Sequence, residues 1–160
     1  MIQPGQTIDL ATPLRIVRAG AEETVTLGEL LAPRPAIVSV YMRNNTPGCD
    51  RQIDSLVAHA AEFERLGYTL VALSRDTCGS HRKYAVKKSV PFVLASDPDD
   101  AFARAVDAIV EKTMYGRTYE GPARSAFVLA RDGRVLAVVP KVDTKDHAAQ
   151  LRAVLAELPA

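Results

Sequence analysis

Two cysteines, Cys49 and Cys78, are the side chains of this 160-residue sequence best suited to redox or nucleophilic chemistry near neutral pH. Cys49 has the more telling position. It closes the run Asn44-Asn45-Thr46-Pro47-Gly48-Cys49, after a β-branched apolar stretch and before apolar residues at helical spacing, Ile53, Leu56, Val57, Ala60 and Phe63. A cysteine at a strand-to-helix junction meets unpaired backbone N–H groups and the positive end of the helix dipole. Both stabilise a thiolate and lower the thiol pKa. Thr46, three residues earlier in the turn, can turn its hydroxyl toward the thiolate or toward an oxygen ligand. Gly48 lets the backbone approach without a side chain in the way.

The rest of the composition narrows the options. Cys49 and Cys78 are separated by 28 residues (78 − 49 − 1), too many for a Cys-x-x-Cys redox pair. His59, His81 and His147 do not combine with them into a zinc spacing, so the expectation is no metal and no cofactor. A hydrophobic fraction of 48%, a charged fraction of 24% and a net charge of +1 fit a globular chain without a nucleic-acid footprint. The first residues lack the basic and apolar regions of a signal peptide, and the longest apolar run, residues 36–42, is too short to span a bilayer. The expected location is the cytoplasm, where thiols are kept reduced and a structural disulfide is unusual.

The elements that must carry Cys49 read as one α/β domain over residues 1–160. Short strands are expected at residues 7–10, 14–18 and 23–26, with an Ala19-Gly20 hairpin turn, and a helical turn at 27–31. Residues 36–42 read as a strand covered on both faces, followed by a helix ending at Gly67 and a second buried strand at 68–73. That strand–helix–strand unit predicts parallel neighbours and a right-handed crossover. A helix at about 79–88, a short strand at 92–95 and a helix at 100–110 follow. Strands at 126–130 and 135–139 flank the Asp132-Gly133 hairpin turn, and Ala148, Leu151, Val154, Leu155 and Leu158 mark a closing helix. The order is that of a thioredoxin-like sandwich: a central mixed sheet flanked by helices, with an N-terminal β-hairpin extension.

The run from Tyr41 to Cys49 resembles the active-site loop of peroxiredoxins of the bacterioferritin-comigratory, or PrxQ, subfamily. Further segments are similar to that subfamily in the same order: Ser74-Arg75-Asp76, Ser80-His81-Arg82-Lys83, Ser96-Asp97-Pro98-Asp99, residues 114–121 and residues 124–128. The resemblance implies a thiol-dependent peroxidase. Cys49 matches the peroxidatic cysteine, which hydrogen peroxide or an organic hydroperoxide oxidises to a sulfenic acid. Thr46 matches the hydroxyl that orients the peroxide, and Arg124 the guanidinium that stabilises the thiolate and the charge on the leaving oxygen. Arg124 precedes a strand expected to run antiparallel to the first two, so its side chain starts at the edge where they end.

Two departures from the subfamily pattern stand out. Met42 occupies the usual proline position, exchanging a rigid cover for a flexible and oxidisable one. Asp54 occupies the position five residues after Cys49 where many relatives have a resolving cysteine, whereas Gln52 matches the usual residue. Cys78 is the internal candidate for resolution, since both cysteines follow neighbouring strands and should lie at one end of the sheet. The alternative is a bystander Cys78 and resolution by an outside thiol. Thioredoxin is the reductant the resemblance implies, and a monomer or weak dimer is expected, without nucleic acid or membrane. Competing functions are a thioredoxin-fold disulfide oxidoreductase or redox sensor, and a non-catalytic relative.

Overall fold

The computed structural model describes residues 1–159. Its centre is the strand β3 (Ala36–Val40), a β-branched run with every residue buried. A strand with no polar face needs cover on both sides, and parallel pairing to β4 (Thr69–Ser74) through a helical crossover supplies it. The crossover helix is α2 (Pro47–Arg65). β4 in turn pairs in parallel with β5 (Val93–Ser96) through α3 (Cys78–Lys88). On the other side of β3, β8 (Ala126–Leu129) and β9 (Val135–Val139) add antiparallel, and α5 (His147–Ala156) closes the chain. The hairpin of β1 (Pro13–Arg18) and β2 (Ala21–Thr26) joins the far edge through β1–β5 pairing. The seven-stranded order is β2-β1-β5-β4-β3-β8-β9. This is the expected mixed sheet, and the N-terminal hairpin is built into it as two strands.

Strand alternation sorts the core into two layers. Val38, Val40, Val71, Leu73, Val93, Phe127 and Leu129 face the side covered by α1 (Leu27–Leu31) and α4 (Ala101–Ala105). Ile37, Leu70, Ala72, Leu94, Ala126 and Val128 face Ile53, Leu56 and Phe63 of α2, Tyr84 of α3 and Leu151 of α5. In the first layer Phe127 meets Phe102 edge to face, with ring centroids 5.9 Å apart, and both rings are fully buried. Phe127→Ala is expected to cost about 3–5 kcal/mol, the usual penalty for deleting a buried aromatic ring. Urea denaturation would measure it, with Phe127→Leu losing clearly less.

Four expectations are corrected. Residues 7–10 form no strand. Asp9 Oδ1 accepts from the Ala11 N–H at 2.9 Å and starts a turn, leaving a single bridge from Thr7 to Arg134. This segment is pinned against the β8–β9 turn at Gly133, which takes φ +85° and where a Cβ would stand 2.9 Å from Ile8 O. The strand expected to reach residue 42 ends at Val40, although the Tyr41 N–H still donates to Leu73 O at 2.9 Å. The helix expected over 100–110 ends at Ala105, because Asp107 takes φ +53°. The Ala108 and Asp107 N–H groups then bond to Ala103 O and Arg104 O at 2.8 and 3.0 Å. This is a Schellman stop built on aspartate, where glycine would have announced it. Finally, β6 (Ile109–Met114) and β7 (Arg117–Pro122) form a separate hairpin absent from the sequence reading. Its two-residue turn, Tyr115-Gly116, has φ +53° and +74°, the positive pair of a type I′ turn.

Candidate active site

Cys49 is the third residue of α2, at the edge where β3 ends, and is buried. Thr46 is the N-cap residue and Pro47 opens the helix, where its fixed φ fits and its missing N–H costs nothing. The Thr46 hydroxyl makes no cap bond to the helix. It donates instead to Arg43 O at 2.8 Å. A side-chain cap is ordinarily worth about 1 kcal/mol, so the helix start forgoes stabilisation and keeps this hydroxyl at the sulfur's side. A Cβ on Gly48 would meet only Arg124 Nη2 and Arg51 Nη2, at 3.7 and 3.8 Å. Glycine here therefore keeps the approach open and does not relieve a backbone clash.

Two donors point at the sulfur. Arg124 Nη1 lies 3.3 Å from Cys49 Sγ and the Arg43 N–H 3.5 Å from it. Arg124 is delivered by the turn before β8, whose antiparallel register sets Ala126 opposite Ser39 of β3. The same Nη1 donates to Gln52 Oε1 at 2.9 Å, one helical turn after Cys49. Burial pushes the Cys49 thiol up, but the Thr46 hydroxyl, when its proton turns from Arg43 O to the sulfur, the Arg43 and Met42 backbone N–H groups and the Arg124 guanidinium outweigh it. The thiol lies below the ordinary cysteine range.

Cys78 has a different environment. It is the first residue of α3, capped by Thr77, and burial chiefly pushes its thiol up, against weaker opposition from Arg15, Ser96 and Arg82. The groups around it belong to β1, β2, β5 and α3, and none of them touches Cys49. β1 stands three strands from β3, about 14 Å at the usual strand spacing. Both thiols are free. They start helices at the same edge of the sheet, as expected, and α3 packs against β5 and β1. The opposite pKa directions give a direct expectation. As pH rises from acid, the thiolate of Cys49 forms before that of Cys78. Iodoacetamide labelling followed by peptide mapping should therefore modify Cys49 at lower pH than Cys78.

A sequence model of the AhpC/TSA family matches residues 7–138. The chain belongs to that family. It is 36% identical to peroxiredoxin Bcp of Xanthomonas campestris pv. campestris over 157 residues, covering 98% of this chain and 92% of the other. It is 29% identical to peroxiredoxin Bcp of Bacillus subtilis, over 85% and 86% of the two chains. Among solved structures it superimposes on Xanthomonas campestris peroxiredoxin Q with TM-score 0.83 and 33% identity, covering 96% of this chain and 98% of that one. A second structure of that similarity, TM-score 0.83 at 32% identity over 96% and 98% of the chains, concerns the alkyl peroxide reduction activity of the Xanthomonas campestris bacterioferritin comigratory protein. The chain is a thiol peroxidase of the Bcp/PrxQ type, and the disulfide oxidoreductase alternative is not favoured.

In this peroxiredoxin the β6–β7 hairpin reaches over the site. Lys112 Nζ donates to Met42 Sδ at 2.8 Å, so the methionine in the usual proline position is held by a cation. Burial, then Arg124 and Arg75, push the Lys112 ammonium below the ordinary lysine range. Sequence reasoning missed Lys112 because the hairpin carrying it was not recognised; the Tyr115-Gly116 pair was the available signal. It also missed Ser39 and His147, both fully buried, which continue inward from Gln52. Among the described residues no cluster of three or more His, Cys, Asp or Glu side chains could hold a metal ion, and no helix is long and apolar enough to cross a membrane.

Proposed function

We propose that Cys49 is the peroxidatic nucleophile, with Thr46 and Arg124 as its catalytic partners, for hydrogen peroxide and organic hydroperoxides. The reading rests on one observation above the others, Arg124 Nη1 at 3.3 Å from Cys49 Sγ at the head of a long helix. The thiolate attacks the hydroxyl-bearing oxygen of the peroxide. An S–O bond forms, the O–O bond breaks, and the sulfur is oxidised to a sulfenic acid while the departing oxygen leaves as alkoxide or hydroxide and takes a proton from solvent. Arg124 donates to the oxygens as charge moves onto the leaving one, and Thr46 turns its single proton from Arg43 O to the bound peroxide.

The sulfenic acid is then attacked by a thiol, water leaves, and the disulfide formed is reduced by thioredoxin or another thiol reductant. Cys78 is the proposed internal thiol. An open depression of about 910 Å³ between Asn45 and the start of α3 leaves space for the first turn of α3 to shift toward Cys49. If Cys78 does not serve, an outside thiol attacks Cys49 directly. We place the activity in the cytoplasm, in a single domain acting as a monomer or weak dimer, with no nucleic acid, membrane or cofactor involved; a net charge of +1 supports the part of this that concerns nucleic acid.

The test is a peptide map after one equivalent of hydrogen peroxide, with sulfenic acid trapped by dimedone. A Cys49–Cys78 peptide is the expected product. Dimedone on Cys49 with no linked peptide would leave Cys49 as nucleophile and remove Cys78 as resolver. Oxidation elsewhere, with Cys49 intact, would overturn the reading.

A further inference from the structure

Behind Arg124 a chain of buried side chains runs through the protein. Arg124 Nη1 donates to Gln52 Oε1 (2.9 Å), Gln52 Nε2 lies 2.8 Å from Ser39 Oγ and 3.2 Å from Val40 O, and Ser39 Oγ lies 2.8 Å from His147 Nε2. His147 Nδ1 lies 3.0 Å from Gln150 Oε1. Gln52, Ser39 and His147 are fully buried, and the links come from four separate elements: the turn before β8, α2, β3 and α5.

Both ends of the chain fix its direction. Arginine has donors only, so the Gln52 carbonyl must face Arg124 and its NH2 must face Ser39 and Val40 O. Ser39 Oγ then accepts, and its own proton is free for His147 Nε2. At the other end the Asp143 N–H donates to Gln150 Oε1 at 2.9 Å, while Gln150 Nε2 donates to Lys141 O at 2.9 Å. The Gln150 carbonyl must therefore face His147 Nδ1, which has to carry the imidazole proton. The two ends demand the same tautomer, neutral His147 with Nδ1–H. Burial, with Arg124 adding to it, keeps the ring neutral against Gln150 and Asp143. Its place as the first residue of α5, after the Asp146 cap, also disfavours a cation.

We propose that His147 is a positioning residue for the peroxidase reaction, acting through Ser39 and Gln52 to hold Arg124 at the Cys49 sulfur. The inference rests on the role given to Arg124 above. A Gln52 amide free to rotate could turn its NH2 toward the guanidinium, setting donor against donor, and Arg124 would leave the sulfur it shares with Gln52. Val40 O opposes that rotamer as a second acceptor, and the Ser39 oxygen, its own proton accepted by His147, opposes it more closely at 2.8 Å.

The experiment compares the full-length protein with Ser39→Ala, His147→Leu and His147→Gln, the last keeping a carbonyl acceptor near the position of Nε2. The readouts are the rate of Cys49 oxidation by hydrogen peroxide, the thiolate titration of Cys49, and Tm. Ser39→Ala and His147→Leu are expected to lower the rate about tenfold, the worth of one buried hydrogen bond, and to move the titration upward. His147→Gln should regain most of both. In the unsubstituted protein, long-range 1H–15N spectra should show the Nδ1–H tautomer at neutral pH. Unchanged rate and titration in Ser39→Ala and His147→Leu, or an Nε2–H tautomer, overturns the proposal; so does equal loss of Tm in both His147 variants with the titration unmoved. If His147→Leu does not fold, Ser39→Ala and the tautomer decide. Arg124→Gln run alongside separates the two levels. Should that variant also leave Cys49 unaltered, the role of Arg124 fails; should it alone change Cys49, only the chain behind it fails.

Discussion

Cys49→Ser is expected to abolish peroxide consumption, lowering the second-order rate by roughly a thousandfold or more. The estimate comes from what nucleophilic activation requires. The groups around Sγ favour the thiolate and hold the thiol below the ordinary cysteine range, with Arg124 Nη1 at 3.3 Å and the Arg43 N–H at 3.5 Å. A serine hydroxyl ionises several pH units higher, and among the described residues the hydrogen-bond partners of the sulfur, Arg124 and the Arg43 N–H, are donors that cannot take its proton. Reduced consumption to the level of buffer and reductant alone, followed by the loss of peroxide absorbance, is the expected result. The substitution replaces a buried sulfur by a smaller hydroxyl with Arg124 and the Arg43 N–H as partners, so folding should survive, as near-UV dichroism would show. Full turnover in the variant would move the nucleophile elsewhere, and Cys78→Ser would then be the informative comparison.

Arg124→Gln is expected to lower the rate about a hundredfold, the lower end for removing one preorganised donor from a developing anion. The effect has two parts with the same sign. First, the guanidinium is one of the groups that hold the Cys49 thiol down, so its loss shifts the titration of the thiolate toward higher pH and thins the nucleophile at neutral pH. Second, the charge moving onto the leaving oxygen loses its cation. The two parts separate by pH. Above the shifted titration the first part vanishes, so the variant should recover partially as pH rises and then level off below the unsubstituted rate. Stopped-flow oxidation across a pH series measures both. Recovery to the full rate at high pH would restrict Arg124 to the thiolate alone.

The residues with the strongest local signals were readable without a fold. A β-branched apolar run followed by a proline-containing turn and a helical repeat can hardly be anything other than a buried strand feeding a helix, and Cys49 sits at that joint. Chemistry at a helix N-terminus depends in part on backbone groups within a few residues, which favours a lowered thiol at Cys49. Cys78 also begins a helix, but burial pushes its thiol up, so position along the chain is only part of the cause. The Asp132-Gly133 turn between two apolar runs is likewise local, and it pairs β8 with β9. Where sequence reasoning failed, an uncommon residue carried a backbone role. Asp107 stops α4 in a left-handed conformation usually taken by glycine, and Tyr115 takes the first positive φ of the β6–β7 turn. Residues 7–10 have strand-like composition, but the Asp9 side chain competes for the backbone and makes a turn.

The sequence by itself determined the parallel unit, the place of Cys49 at the head of α2, and the family to which these residues are similar. All of these depend on contacts within a few residues or on patterns of burial with a fixed period. The tertiary structure alone decided which side chains share the sulfur's surroundings and which do not. Lys112 comes from a hairpin 70 residues beyond Met42, and His147 stands 108 residues beyond Ser39. Cys78, though it too begins a helix after a neighbouring strand, leans toward β1 and β5 because α3 packs there. Hydrogen bonds and charge effects act over a few ångströms of space regardless of chain separation, so no spacing in the sequence could have announced them.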